Sequence, residues 1–439
     1  MKRCVCAVVV LTTVSALAFG RLDNTKFRIF SSVQEPMGYN GEEQIKALVA
    51  CGIDTFAANF SREGLDNCKK YGVNAVVRGY LPGWWGGNSE SNGKFAEQRP
   101  VEVYEKLMRD YADHPAVIAF EIGDEPSALD FEHYGKVAAV VERYTSAYLN
   151  LFPSYASSAA LVGDAAKSQL GARDYEDYIA KYCKYVPINE ICFDSYMWGW
   201  RNTPSTLLEN LRVAADACLA THRSLMVELQ LLTFEEGGKL GKGPMTENNL
   251  RYQANVSLAF GARQINWINF WCRWWVHHIL DAEGRIVNRE MYDRLSRVNR
   301  EIRRHGDLLV KFERAHTDFV DFDPKTGDGM RGVKQPALSE SHGVAFSAVK
   351  AADSSALLVG HFVSRAADGR HAMFLVACDD PQDNGGHDHI VRFRSEGRKL
   401  RAIGGDGTVS IDEGADGFKS VRISSNHALL VVADHPAGD

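Results

Sequence analysis

Little in this sequence points to metal-binding cysteines or to a disulfide scaffold. It contains nine cysteines among 439 residues and no Cys-x-x-Cys pair, so the ligand spacing of common zinc sites is absent. Seven cysteines follow residue 20, namely Cys51, Cys68, Cys183, Cys192, Cys218, Cys272 and Cys378. Most lie in apolar patterns, which predicts buried free thiols; one or two disulfides remain possible in an exported protein.

The chain also lacks an excess of basic charge and a long apolar run. The sequence has 50 Lys and Arg residues and 56 Asp and Glu residues, which gives a net charge of −6, so nothing favours nucleic acid as a partner. Residues 1–20 have Lys2 and Arg3, an apolar stretch, and Ala16-Leu17-Ala18 as a cleavage site, as a secretory signal peptide does. The stretch is too short for a comfortable membrane span. We therefore expect an exported protein, periplasmic or secreted, with no membrane insertion.

Several catalytic signatures are missing as well. No Gly-x-Gly-x-x-Gly follows the first predicted strand, and there is no P-loop, no Gly-x-Ser-x-Gly elbow and no lysine placed for a Schiff base. His277-His278 and His387-Asp388-His389 are the local histidine groups, and neither has helical ligand spacing. We expect no metal and no organic cofactor.

What the sequence does contain is a long alternation of strand and helix patterns. Eight largely apolar segments read as strands: 27–34, 53–60, 73–81, 117–123, 148–155, 190–198, 224–232 and 264–271. Eight amphipathic segments read as helices: 41–51, 62–71, 101–113, 131–144, 175–185, 206–220, 247–260 and 291–305. The count of eight predicts an α/β fold of the (β/α)8 TIM-barrel type over residues 21–312, and a doubly wound open sheet is less favoured.

The last part of the chain has a different pattern. After residue 312, short apolar segments such as HAMFLVACD and HALLVVAD are separated by Gly, Asp and Asn turns. This pattern predicts a C-terminal antiparallel β-sandwich domain over residues 313–439.

The active site of such a barrel forms at the C-terminal ends of its strands. The fourth predicted strand ends in Gly-Asp-Glu-Pro, where Gly123 permits a turn and Pro126 cannot continue the ladder. Glu125 is therefore a candidate catalytic acid, although Asp124 and Glu125 could instead begin the next helix. Glu228, on the seventh strand, would face Glu125 across the barrel mouth.

The remaining strand-end side chains suit a sugar. Pyranose rings pack on Trp, their hydroxyls bind carboxylates and amides, and hydrolysis of a glycosidic bond uses two carboxyl groups. The candidate substrate-binding residues are Asp124, Arg78, Trp84, Trp85, Asn150, Asp194, Tyr196, Gln230 and Trp271. Purely structural roles are also possible: Glu228 could be a buried carboxylate paired with Arg78 or another base, Asp194 could cap the following loop, and Trp271 could belong to ordinary barrel packing.

These motifs resemble those of the clan of (β/α)8 retaining glycoside hydrolases that includes β-galactosidases. GDEPS, NLFPSY, FDSY and the trailing β-domain look closest to bacterial β-galactosidase-like proteins. The resemblance implies that Glu125 is the acid/base and Glu228 the nucleophile. It also places Asp124 where the clan has Asn, a residue that binds the sugar 2-hydroxyl there.

The sequence thus predicts an exported glycoside hydrolase acting on an oligosaccharide or glycoside. Gln230 has the same side-chain parity as Glu228 and lies nearer the strand end. If Gln230 takes the nucleophile's place, then Asp194, Glu235 or Glu236 could serve as the base of an inverting enzyme. A non-catalytic carbohydrate-binding protein on a degenerate barrel, or a polysaccharide lyase or transglycosylase on the same fold, would also fit these strand ends.

Overall fold

The computed structural model describes residues 21–32, 40–78, 93–153, 170–196, 204–234, 245–271, 275–281, 283–321, 345–380, 386–395 and 397–434. Its first part is a closed barrel of eight parallel strands. They are β1 (Arg28–Ser32), β2 (Thr55–Ala58), β3 (Asn74–Arg78), β4 (Val117–Asp124), β5 (Ser146–Leu151), β6 (Glu190–Ser195), β7 (Ser224–Gln230) and β9 (Ala262–Ile268). The barrel closes where β9 pairs with β1, with Gln264 opposite Arg28. The predicted TIM barrel is confirmed.

Helices alternate with these strands on the outside of the barrel. They are α1 (Glu42–Ala50), α2 (Arg62–Tyr71), α3 (Phe95–Gln98), α4 (Val101–Tyr111), α5 (Phe131–Val141), α6 (Tyr175–Tyr185), α7 (Pro204–Thr221), α8 (Glu247–Ala259) and α9 (Arg289–Leu309). Local sequence sets their ends. In α2, for example, the Ser61 side chain accepts a hydrogen bond from the Gly64 N–H, and Gly72 ends the helix in the left-handed region at φ 69°.

Strand side chains alternate between two cores. In β3, Ala75 and Val77 pack outward against the helices, whereas Val76 points into the barrel. A small interior cluster fills the middle of the barrel and includes Phe30, Tyr148 and Met226. Above it, towards the C-terminal ends of the strands, the inward positions become polar, and this change creates the candidate site.

The C-terminal region forms two antiparallel sheets, as expected for a β-sandwich. The larger sheet contains β11 (Phe312–Val320), β13 (Leu357–Ser364), β14 (His371–Ala377), β20 (Ala428–Ala433), β16 (Leu400–Gly404) and β17 (Gly407–Val409), in that order. The smaller sheet contains β12 (Phe346–Ala351), β15 (Asp388–Ser395), β19 (Lys419–Ser424) and β18 (Asp412–Glu413).

The larger sheet is buried on both of its faces. In β14, Ala372, Phe374 and Val376 belong to the core shared with the barrel, while Met373 and Leu375 belong to the core between the two sheets. Helix α8 packs against β13 and β14 on the barrel side. This double burial explains why β14 is apolar at almost every position.

Seven of the eight barrel strands are shorter than the sequence patterns suggested, whereas β4 is one residue longer. The fifth strand covers Ser146–Leu151 and not 148–155, because Pro153 has no N–H and the Phe152 N–H donates to the Tyr178 hydroxyl. Beyond the barrel, β8 (Thr233–Phe234) and β10 (Trp275–Val276) form a two-stranded ribbon that the patterns did not predict.

Two further expectations concern cysteines and membranes. Cys51, Cys68, Cys183, Cys192, Cys218 and Cys378 are free thiols, while Cys272 lies outside the described residues. Within the described ranges, no helix combines the length and the apolar character that crossing a bilayer requires. The predicted signal peptide, residues 1–20, also lies outside those ranges.

Candidate active site

The upper part of the barrel interior is lined by polar side chains from neighbouring strands. Strand register places Arg78 opposite Glu121, Asp124 opposite Asn150, Asp194 opposite Glu228, and Glu228 opposite Asn266. Each of these residues lies in the C-terminal half of its strand, where barrel active sites form. Most of the predicted site residues are thereby brought to one end of the barrel.

Arg78 forms an ion pair with Glu121. Its Nε lies 2.6 Å from Glu121 Oε2 and its Nη2 lies 3.1 Å from Oε1, a bidentate arrangement with Glu121 almost fully buried. Burial raises the pKa of Glu121, and the contacts with Arg78 oppose that rise. Among the described residues Arg78 forms an ion pair with Glu121 and none with Glu228, so the suggested Arg78–Glu228 ion pair is wrong, although the charge of Arg78 still lowers the pKa of Glu228.

Glu228 is held from the side by Asn266. The Asn266 Nδ2 donates to Glu228 Oε1 at 2.9 Å and to the Ser32 hydroxyl at 3.1 Å, and the Tyr148 hydroxyl lies 3.5 Å from the same carboxylate oxygen. Burial raises the pKa of Glu228 to about 8; the charges of Glu121 and Asp124 add to the rise, while Arg78 and the Asn266 hydrogen bond oppose it.

The end of β4 presents two acids in a bent backbone. The pairing of β4 with β5 shifts register between Glu121 and Asp124, and Asn150 Nδ2 then donates to Asp124 Oδ1 at 2.9 Å. Glu125 follows at φ 43°, and its N–H donates to the Asn150 carbonyl at 3.0 Å. A left-handed conformation costs a non-glycine residue on the order of 1–3 kcal/mol, and such positions cluster at functional sites.

Asp194 lies among these acids. Only 3% of it is exposed, and among the described residues its Oδ1 has no hydrogen-bond partner. Burial raises the pKa of Asp194 well above its ordinary range; the negative charges of Glu125, Asp124 and Glu228 raise it further, and a hydrogen bond from Tyr196 opposes the rise. The negative charges of all three other candidate acids therefore act on the Asp194 carboxyl group. Asp194 is the last residue but one of strand β6, and most of the loop that follows lies outside the described residues, so its suggested role as a loop cap stays a prediction.

Gln230 is placed differently from Glu228. Its Nε2 donates to the Leu232 carbonyl at 2.9 Å, and its own N–H and C=O bond the side chain of Gln253 on α8. The Gln230 amide thus holds the end of β7 in place. The side chain of Glu228, and not that of Gln230, therefore lies among the other candidate acids.

The aromatic candidates are described only in part. Trp271 is partly buried, and its ring lies 5.7 Å from that of His278. Trp84 and Trp85 lie outside the described residues, as do the candidate bases Glu235 and Glu236. The predicted sugar platform at Trp84 and Trp85 stays a prediction.

Sequence reasoning missed Glu121, Tyr148 and Asn266. Each of these residues points into the barrel below the end of its strand. Glu121 and Asn266 are polar residues that interrupt apolar strand patterns, and this interruption could have marked them as candidate site residues in the sequence. No group with metal-ligand spacing is found among the described residues of this barrel mouth.

Comparison with known proteins supports the assignment of the fold alone. The sequence matches no family model and no curated protein. The structure is similar to a family 5 glycoside hydrolase from Bacteroides vulgatus, with TM-score 0.52 and 9% identity over 94% of this chain and 90% of the other. It is also similar to α-L-fucosidase isoenzyme 2 from Paenibacillus thiaminolyticus, with TM-score 0.52 and 9% identity over 93% and 100%. A further glycoside hydrolase matches with TM-score 0.50 and 10% identity over 94% and 93%. These neighbours share a barrel fold with this chain.

Proposed function

We propose that this chain is a glycoside hydrolase in which Glu125 is the acid/base and Glu228 the nucleophile. The observation that carries the proposal is the convergence of Asp124, Glu125, Asp194 and Glu228 at the C-terminal end of the barrel, where each contributes to the electrostatic environment of Asp194 or Tyr196. A group of carboxyls in one buried chamber suits a reaction that needs one protonated and one ionised acid.

The proposed reaction is a double displacement. Glu125 gives its proton to the glycosidic oxygen while the Glu228 carboxylate attacks the anomeric carbon, forming a glycosyl-enzyme ester and releasing the leaving group. Water then adds to the anomeric carbon, Glu125 takes the proton from that water, and the ester bond to Glu228 breaks. Asn266, which donates to Glu228 at 2.9 Å, favours the ionised form that attack requires.

Asp124 and Tyr196 would bind the sugar beside the reacting bond. One oxygen of Asp124 accepts from Asn150, so a sugar hydroxyl can donate to its other oxygen. Arg78 acts at a distance, since its guanidinium is paired with Glu121. Trp271 supplies an apolar face for the ring, and the sequence predicts the same role for Trp84 and Trp85.

An inverting hydrolase is the second candidate, and Asp194 is the observation that favours it. Its Oδ1 is buried without a partner among the described residues, so it could hold a water for attack from the opposite face. In that case Glu125 remains the acid and no glycosyl-enzyme forms.

A fluorosugar trap separates these mechanisms. Full-length protein is incubated with 2-deoxy-2-fluoro glycosides, including fucosides and galactosides, because one fold neighbour is an α-L-fucosidase and the motifs resemble β-galactosidases. Mass spectrometry of peptides then locates the label. We expect it on Glu228; turnover without any label, with inverted product by NMR, would favour Asp194 as the base.

Three variants test the acid assignment. Glu125→Gln and Glu228→Gln should each lower kcat on a natural glycoside by about 10²–10⁴-fold. The control is Glu190→Gln, a buried glutamate at the start of β6 and thus at the opposite end of the barrel, and it should leave kcat unchanged. Full activity in Glu125→Gln would refute the proposal, and sugar binding by the parent protein without turnover would favour a carbohydrate-binding protein.

Export is proposed from the charge and apolar pattern of residues 1–20. Expression of the full chain in a bacterial host should yield a mature protein in the periplasm or medium that begins near residue 19 or 21. An unprocessed N-terminus in the cytoplasm would contradict this proposal.

A further inference from the structure

A second cluster of ionisable side chains lies in the β-sandwich, far in sequence from the barrel acids. His316 and Asp318 are on β11 and His361 is on β13, and strand register places His316 opposite His361. Neither histidine belongs to the local groups that stand out in the sequence. The three side chains bring one ligand atom each to within 4.8 Å of one another.

These side chains point into the sandwich and away from the barrel. Thr317, between His316 and Asp318, has its hydroxyl bonded to the Ala259 carbonyl of α8, so its neighbours in β11 face the other way. Val359 is opposite Asp318, Met373 is opposite His361, and both belong to the core between the sheets. The cluster therefore lies at the margin of an apolar core.

The cluster is well buried. The side chains of His361, Asp318 and His316 are 0%, 4% and 20% exposed, so a small ion or water could enter past His316.

The distances match ligands that share an ion. Asp318 Oδ2 lies 3.2 Å from His316 Nε2 and 3.1 Å from His361 Nε2. Two ligands bound tetrahedrally to one Zn²⁺ at about 2.0–2.1 Å are separated by about 3.3 Å. Among the described residues neither nitrogen of His361 has a hydrogen-bond partner, so the 3.1 Å contact lacks hydrogen-bond geometry. The Nε2 atom of His361 is therefore available to bind an ion.

His389 in the same sandwich shows the contrasting case. Its Nδ1 lies 2.9 Å from Asp353 Oδ2 and its Nε2 lies 2.6 Å from Asp379 Oδ2, and both contacts are hydrogen bonds. Each nitrogen has its own carboxylate there, so the three residues leave no shared point for an ion.

We propose that His316, Asp318 and His361 form a binding site for one divalent transition-metal ion, with Zn²⁺ as the best match to two imidazoles and a carboxylate. Water would complete a tetrahedral shell. The ion would fasten β11, the first strand after the barrel, to β13. The role is structural, separate from the proposed glycosidase chemistry.

The test uses the full-length protein stripped with a chelator and titrated with Zn²⁺ by calorimetry. The parent should bind about one ion per chain more than Asp318→Asn, and any residual binding by that variant should be at least about tenfold weaker. Zn²⁺ should raise the Tm of the parent and leave that of Asp318→Asn unchanged. The control His389→Gln should retain both responses.

A direct measurement on the parent protects the test against a variant that fails to fold. Anomalous diffraction at the zinc edge from Zn²⁺-soaked crystals should show a peak about 2.0–2.2 Å from the three ligand atoms. The proposal is overturned if Asp318→Asn folds and binds Zn²⁺ as the parent does, or if anomalous peaks occur only elsewhere.

Discussion

Glu228 carries the protonation state on which the proposed mechanism depends. Its pKa of about 8 means that the free enzyme holds it protonated at neutral pH, whereas attack needs the carboxylate. We therefore expect kcat/KM to rise with pH up to about 8, as Glu228 becomes ionised. A profile of kcat/KM against pH measures this, because it reports the free enzyme.

Glu121 offers a way to shift that profile. Its charge raises the pKa of Glu228, and Glu121→Gln also leaves the Arg78 guanidinium without its partner, so both effects lower the pKa of Glu228. The rising limb of kcat/KM should move to lower pH in Glu121→Gln and stay in place in Glu190→Gln. A limb that stays fixed or moves to higher pH would show that another group controls it.

The burial of Glu190 inside the barrel makes the stability of the protein depend on pH. Burial, and after it the charge of Glu142, raises the pKa of Glu190 from 4.5 to about 8. Between those values the folded protein binds more protons than the unfolded chain, so stability falls as pH rises from about 4.5 to 8. Glu190→Gln should remove a share of that loss, on the order of a few kcal/mol at pH 8 and almost none at pH 4.5. Urea unfolding at several pH values is the measurement, and parallel stability curves for parent and variant would contradict it.

At the scale of an element, the end of β4 is held by close packing. A Cβ at Gly123 would lie 2.5 Å from Leu149 and 2.5 Å from Tyr134, so Gly123→Ala should cost about 1–3 kcal/mol of stability and displace Asp124 and Glu125. Activity should fall with it. The matched control is Gly41→Ala, where a Cβ would meet nothing within 4 Å. Equal melting temperatures for the two variants would show that β4 can move without cost.

The strands and helices of the barrel were predictable because their apolar periodicity is a local property. The partners of inward side chains were not. Arg78 meets Glu121 because β3 and β4 pair in a register that shifts after Ala75, and nothing in either segment encodes that shift. His316 and Asp318 stand two residues apart in the sequence, yet their partner His361 follows on a different strand. The end of β7 shows the same limit, since its last residue is engaged by a glutamine from helix α8.

At the scale of the molecule, the barrel and the sandwich should unfold together. All eight Trp residues lie between Trp84 and Trp275, so Trp fluorescence reports the barrel alone. Phe374 of β14 is fully buried against the barrel side and its ring lies 5.2 Å from that of His305 on α9. Phe374→Ala should cost about 3–5 kcal/mol and lower the Tm seen by Trp fluorescence.

An exposed residue of the same sheet supplies the control for that experiment. Val363 on β13 is 38% exposed, and Val363→Ala should leave the Trp-reported Tm within about a degree of the parent. If Phe374→Ala also leaves it unchanged while far-UV circular dichroism shows early loss of strand, the two parts unfold independently.

The two-sided burial of β14 has a consequence for how this protein can be altered or can diverge. A strand that serves one core can change its outer residues freely while its inner residues are constrained, whereas β14 has no free face. Substitutions there must satisfy two unrelated neighbours at once, and exchanging the C-terminal domain for that of another barrel protein would require matching surfaces on both sides. The protein is therefore best recombined as one unit, with new specificities sought in the loops around the barrel mouth.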